Sequence, residues 1–300
     1  MPPKWVYFQA DGTNSTAAQV THAQAKAIAA PGSLFVYGGD VYDNGTDADF
    51  VTFDGVYGDV RKQLVAIPGN HDWNTANAQG YENYWLSHAP PDSLTSIDTS
   101  QAGTDRHHFA LPLGNGWLGI MIDCGSAAEQ PLTPLALTQI DNWITAHGSR
   151  NVIIFPHNAR LTRGQHGDNT ALDPLWQACF DSAGLPRVVA WVAGHNHNLG
   201  VYSPRGKGSG AGAVPPASSL GIANGVQIFI NGAGGAGFYS LSVGAFGTMP
   251  DLFGDDAHFG FLQIKLIDAD TAIFQNFATS AAATGAASTI GPAVGVSLAP

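Results

Sequence analysis

Positive charge is scarce in this chain. Lysine and arginine together number 12, against 23 aspartates and glutamates, for a formal charge of −11. They form no run, so the sequence carries no electrostatic footprint for a nucleic-acid backbone. Cysteine is nearly absent. Cys124 and Cys179, the only two, neither make a disulfide framework nor show a zinc-ligand spacing; both read as small buried hydrophobes. No apolar stretch approaches the ~20 residues of a membrane span. No signal-peptide apolar region precedes the strand-like Trp5-Val6-Tyr7-Phe8, so the chain is expected to be secreted if a leader was removed and cytoplasmic otherwise. Charged residues of both signs make up only 12% against 44% hydrophobic. That balance excludes disorder and suits a compact globular protein with an adequate core.

What is present is a series of short apolar runs bounded by Gly, Pro or Asn. Trp5 to Phe8, Leu34 to Tyr37, Leu64 to Ile67, Trp117 to Ile122, Val152 to Phe155, Val188 to Val192 and Val226 to Ile230 have the length and β-branched or aromatic content of buried strands. Helical patterns lie between several of them. Ala17 to Ala30 is Ala-rich and ends at Pro31-Gly32. Pro134 to His147 has Thr133 as N-cap and Gly148 as stop, and Pro174 to Ala183 repeats that grammar with Asp173 and Gly184. The alternation predicts an α/β protein. Beyond residue 200 helical patterns give way to a Gly/Ser/Ala/Pro loop (206–219) and to Phe259–Ile267 and Thr271–Phe277, which read as antiparallel strands. One domain over residues 1–279 is expected, with 280–300 an uncharged Ala/Gly-rich tail or peripheral strand.

The residues that follow the strands carry the chemistry. The first strand leads to Ala10-Asp11-Gly12-Thr13, the second to Gly38-Gly39-Asp40 and the third to Gly69-Asn70-His71-Asp72. A later strand ends in His157, another in Gly194-His195-Asn196-His197. Metal-ligating side chains thus follow five strands, and ligands of open α/β sheets gather at the strands' C-terminal edge. Carboxylate, amide and imidazole together suit Zn, Mn, Fe or Ni better than Ca or Mg alone. Two such ions ~3.5–4 Å apart clamp a phosphoryl group.

In these blocks, and in their order, the sequence resembles the calcineurin-like metallophosphoesterases, and within them the purple acid phosphatase catalytic domains. Further likeness lies in Gly39-Asp40-Val41-Tyr42-Asp43-Asn44-Gly45, in Arg106-His107-His108-Phe109 before the Trp117 strand and in Gly232-Ala233-Gly234-Gly235. The resemblance implies a four-layer α/β/β/α sandwich around two mixed sheets. It also implies a binuclear centre of two divalent or trivalent transition-metal ions (Fe, Zn or Mn) and hydrolysis of a small phosphomonoester by a metal-bridging hydroxide. Asp11, Asp40 and His197 would hold metal one; Asp40 would bridge; Asn70, His157 and His195 would complete metal two. His71 would sit at the leaving group, with Asp72 orienting it. Two departures stand out. Thr13 replaces a histidine ligand common in such proteins. Tyr42 follows Asp40 by two residues rather than three, so that Tyr42 or Asp43 completes metal one, or neither does. A phosphodiesterase, or a binding protein that kept the fold without turnover, are the rival readings.

Other residues have blander readings. His166 is either a substrate-side histidine or a solvated loop residue. His22, His88, His147 and His258 read as surface residues, and His107 and His108 as a hairpin pair. Asn158 is a candidate phosphate contact. Trp73, Tyr81, Tyr84 and Trp85 at helical spacing read first as core.

Overall fold

The computed structural model describes residues 4–12, 16–88, 108–125, 132–208, 225–241, 251–279 and 286–298. Among the described residues thirteen strands form two sheets. In the first, the parallel strands β1 (Lys4–Gln9), β2 (Leu34–Tyr37) and β3 (Leu64–Ala66) continue through the antiparallel β11 (Gly260–Leu266), β12 (Thr271–Ala278) and β13 (Ser288–Ser297), in the order β13-β12-β11-β1-β2-β3. The second comprises β4 (Phe109–Gly114), β5 (Trp117–Ile122), β6 (Val152–Pro156), β7 (Ala190–Ala193), β8 (Leu199–Arg205), β9 (Val226–Asn231) and β10 (Asp251–Asp255), ordered β10-β8-β9-β7-β6-β5-β4. Within it β5, β6, β7 and β9 run parallel.

Strands apolar on both faces signal sheets covered on both sides. Alternate residues sort the faces. Val6, Phe8, Val36 and Val65 of the first sheet meet Met121, Ile153, Phe155, Val192 and Phe229 of the second in one buried cluster. Two ring pairs cross that layer: Phe8 with Phe155, centroids 5.9 Å apart, and Phe229 stacked on Phe274 at 4.4 Å. Each such buried ring stabilises by about 1.5–3 kcal/mol relative to exposure. On the outer face of the first sheet Tyr7, Phe35 and Tyr37 pack with aromatics of α2 (Asp47–Tyr57) and α3 (Gln79–Ser87), beside α1 (Thr16–Ile28). On the outer face of the second, Ile122, Ile154, Trp191 and Ile228 pack under α4 (Pro134–His147) and α5 (Asp173–Ala178). The layers are therefore α/β/β/α.

Helix α4 forms as its grammar predicts. Thr133 Oγ1 accepts from the Ala136 amide at 3.2 Å, and Gly148 closes the helix at φ 70°. Helix α5 is shorter than expected: it stops at Ala178, and Phe180 then bridges to Pro186. Asp173 does not cap it but sits in its first turn, where its carboxylate accepts from Arg160 Nε; the preceding turn is capped by Asn169 instead. Tyr81 and Tyr84 are buried against Phe50 and Phe53, which places them in the core. Cys124 and Cys179 are buried and not in a disulfide. Among the described residues no helix is long and apolar enough to cross a membrane. Thr13, Arg106, His107 and most of the 206–219 loop lie outside the described residues.

His22 is a correction. Far from being a surface residue, it is 3% exposed. It packs edge-on against Tyr57 and Phe35, and its Nε2 meets Asp59 Oδ1 at 3.1 Å. Nδ1 is buried with no partner among the described residues, so a second proton there would be an unsatisfied donor. Burial accordingly lowers the imidazole pKa, although Asp59 opposes it. The unfolded chain therefore takes up a proton the folded one refuses, and stability is lost as pH falls below ~6.5. Replacing His22 by Gln should flatten the decline of Tm from pH 7 to pH 5, by up to ~1.4 kcal/mol of stability per pH unit. Paired thermal melts across that range test it.

Candidate metal centre

The sites at the ends of β1, β2, β3, β6 and β7 converge. Asp11, Asp40, Tyr42, Asn70 and His71 come from the first sheet, and His157, His195 and His197 from the second, so the centre straddles the layer between them. Asp40 lies at the middle. His157 Nε2 is 3.3 Å from its Oδ2 and 3.1 Å from Asn70 Oδ1. Tyr42 donates its hydroxyl to Asp40 Oδ2 at 3.3 Å, and the same hydroxyl is 2.6 Å from His197 Nε2. His197 Nε2 in turn is 3.8 Å from Asp11 Oδ1. One donor atom each from Asp40, His157 and His195 lie within 4.8 Å of one another.

The imidazoles are held in a common way. Nδ1 of His157 bonds the Gly38 carbonyl at 2.7 Å, Nδ1 of His197 the Gly237 carbonyl at 2.6 Å and Nδ1 of His71 the Asp43 carbonyl at 2.7 Å. A carbonyl can only accept, so each Nδ1 carries a proton and Nε2 is the nitrogen that remains for other partners. That is how metal-binding histidines are set. Backbone amides hold the carboxylates: His71 N–H donates to Asp40 Oδ1 at 2.7 Å and His195 N–H to Asp11 Oδ2 at 2.8 Å.

Asp72 corrects an expectation. Its carboxylate does not reach His71. It accepts from the amides of Gly69 at 2.7 Å, Asp40 at 3.0 Å and Val41 at 3.1 Å, tying the β2 and β3 loops together. The Asp43 carbonyl orients His71 instead. Trp73 is a tether as well, its indole N–H shared between both Asp123 oxygens at 3.2 and 3.1 Å.

Backbone strain marks the same place. Asp11, Asp40 and His195 adopt φ of 59°, 61° and 64°, the left-handed region that ordinary residues avoid. Two glycines are dictated by proximity. A Cβ on Gly69 would lie 2.2 Å from Asp40 Oδ1, and one on Gly194 would lie 2.6 Å from Asp11 Oδ2. Gly69→Ala should therefore displace Asp40 and weaken metal affinity ~10–100-fold, the usual range for damage to a ligand's support. Calorimetric metal titration of the variant measures this.

Charge in the centre is tightly coupled. Burial opposes the ionised forms of Asp40 and His157, yet their mutual attraction wins. Asp40 is held below the usual carboxylate range, and His157 is pushed up to about 10 with help from Asp11. Burial raises Asp11, with Asp40 adding to it. Burial also lowers His195 strongly and takes His197 down to about 4, so both are neutral imidazoles. Burial and the nearby Asp40 push Asp72 up to about 8, while the Gly69 and Val41 amides pull it the other way. Burial, then Asp11 and Asp40, raise the Tyr42 phenol.

These residues fit a metal ion. Asp11 Oδ1 is buried with no hydrogen-bond partner among the described residues, a costly state for a carboxylate oxygen unless something else satisfies it. The donor set around it mixes carboxylate, phenol, amide and neutral imidazole, which suits first-row transition metals.

Sequence reasoning missed Tyr239. Its ring stacks on His197 at 3.9 Å with 10° between planes and meets His166 edge-on at 5.1 Å. His166 is itself stacked on His195 at 4.0 Å, so it stands beside the centre with one face covered. The Gly-rich segment 232–235 was the available signal, since Gly237 and Tyr239 follow it directly. On either side of the centre is a cavity. One of about 520 Å³ is walled by Tyr42, His197, Phe238 and Tyr239. The other, about 420 Å³, lies against Asn70, Asn158, His166 and His195. A third of about 280 Å³, between α2 and α3, lies apart from these residues.

No protein-family model matches the sequence, and a search of curated proteins returns no match. Solved structures do match. The purple acid phosphatase PPD1 from yellow lupin (Lupinus luteus) seeds superposes with a TM-score of 0.70 over 99% of this chain and 55% of its own, at 12% identity. The chain thus spans about half the length of that enzyme. PhoD superposes at 0.61 over 97% of this chain and 69% of its own, at 9% identity. GAP50, the anchor in the inner membrane complex of Plasmodium, gives 0.59 over 97% and 89%, at 12% identity. The chain has the calcineurin-like metallophosphoesterase fold.

Proposed function

We propose that the protein is a binuclear metal-dependent phosphatase acting on small phosphomonoesters. The observation that carries this reading is the convergence of Asp11, Asp40, Tyr42, Asn70, His157, His195 and His197 from two sheets, with a buried Asp11 oxygen that has no hydrogen-bond partner among the described residues. Asp11, Asp40, Tyr42 and His197 would hold one cation, and Asp40, Asn70, His157 and His195 the other. Such a pair, when bound, neutralises phosphoryl charge and activates water near neutral pH.

The chain's own residues supply the rest. His71, fixed through Nδ1 by the Asp43 carbonyl, presents Nε2 as the group that hands a proton to the departing alkoxide. Asp72 ties the β2 and β3 loops together, and the His71 amide holds Asp40 across them. His166 and Tyr239 brace the rings of His195 and His197. In this reading Tyr42 occupies the place that Thr13 leaves without a histidine. The likeness to GAP50, whose name is that of an anchor, makes a non-catalytic protein of the same fold the second reading.

Elemental analysis of the purified protein, with hydrolysis of 4-nitrophenyl phosphate and its diester measured after loading with Fe, Zn or Mn, separates the possibilities. Two equivalents of metal and monoester turnover are expected. Faster diester cleavage would move the protein to the phosphodiesterases, and failure to take up metal would leave only the binding role.

A further inference from the structure

Asn158 follows His157 directly and is 4% exposed. Its Oδ1 accepts from the Cys124 thiol at 3.5 Å, its backbone N–H donates back to Cys124 Sγ at 3.2 Å, and its carbonyl accepts from the Trp191 indole at 3.3 Å. Its Oδ1, backbone N–H and carbonyl are thus engaged, and Nδ2 is not. That amide nitrogen has no partner among the described residues, and the side chain lines the 420 Å³ cavity beside Asn70 and His195. A side chain so firmly fixed, with its two N–H donors unspent at a cavity wall, is a preorganised recognition group.

The far wall is the 160–171 loop, and it too is built rather than slack. Buried Arg160 reaches Asp173 through Nε and Asp168 at 3.9 Å, while its carbonyl accepts from the Asn169 amide at 3.0 Å. This presents Asp168, Asn169 and Thr170 toward the cavity. Among the described residues the lining holds amides, a hydroxyl, a carboxylate and imidazoles, but no lysine or arginine. A second phosphate group would meet the Asp168 carboxylate and no cation. A neutral polyhydroxylated group would find donors on one wall and acceptors on the other.

We propose that this cavity is the subsite for the alcohol part of the substrate, that the alcohol is a sugar or polyol, and that Asn158 is its anchoring donor. The proposal rests on the phosphomonoesterase reading above, since the cavity has a substrate role only if Asn70 and His195 hold metal beside it.

The test is a selectivity ratio. kcat/KM is measured for glucose 6-phosphate and glycerol 1-phosphate against 4-nitrophenyl phosphate, in the metal-loaded wild type and in Asn158→Ala, Asn158→Asp and Thr170→Val. The ratio of polyol to nitrophenyl ester should fall about 10- to 100-fold in Asn158→Ala, the loss that follows when one buried polar partner is removed. A fall of equal size on all esters would place Asn158 on the phosphoryl group and overturn the proposal, as would an unchanged ratio. Should the Asn158 variants fail to fold, Thr170→Val, on an exposed residue, must still lower the ratio; no change there overturns it. If the wild type hydrolyses none of the three esters, the phosphomonoesterase reading fails. If it hydrolyses the nitrophenyl ester but prefers it over both polyol esters, only the subsite assignment does.

Discussion

Asp40→Ala should yield a protein that binds at most one metal equivalent and whose phosphatase turnover is lower by at least ~10³-fold. Asp40 is the hub of the centre. One oxygen faces His157 and Tyr42, and the other accepts the His71 amide. Its loss removes the buried negative charge at the middle of the site, together with the main cause of the raised His157 pKa, so a cation there loses its shared anionic partner. Removing a single preorganised hydrogen-bond donor at a reacting centre commonly costs ~10²–10³ in rate, and a bridging carboxylate serves two ions. Metal analysis and steady-state kinetics on the same preparation decide it. Retention of two metals would show that Asp40 is not a shared ligand.

His71→Ala should behave differently. Its ring contacts Tyr42, at 4.2 Å between centroids, and bonds the Asp43 carbonyl. The amide that holds Asp40 belongs to the backbone and survives the substitution. Metal content should therefore stay at two, while kcat falls ~10²–10⁴-fold, the range for a positioned proton donor. The loss should shrink for esters of acidic phenols, whose leaving groups need no proton. Equal losses across leaving groups of differing pKa would remove His71 from that role.

Much of this was legible because the ligands sit in short, Gly-flanked turns after apolar runs, and such turns report themselves in the sequence. Gly69 and Gly194 are required by close approach, which is why they stand beside the site residues. The sheets were readable for the same reason: β-branched and aromatic runs have few other uses. Less legible was anything set by tertiary packing. His22 looks like any polar residue of an Ala-rich helix, and only the fold puts Tyr57 and Phe35 around it. Helix α2 mixes aromatic and β-branched residues, and its one local signal was the Thr46–Asp49 capping box. Two of the three amides that Asp72 accepts from lie 32 and 31 residues away in sequence, and backbone groups carry no residue identity to read. Tyr239 depends on how far a glycine-rich segment travels before it turns back.

Because five of the converging side chains belong to one sheet and three to the other, the ions would act as rivets through the interior seam. A half-folded chain with only one sheet formed would offer no cation a full set of donors. Occupancy then favours the closed sandwich by mass action, about 2.7 kcal/mol at a free concentration a hundred times the dissociation constant. Durability of the molecule and readiness of its centre would rise and fall together with the supply of metal.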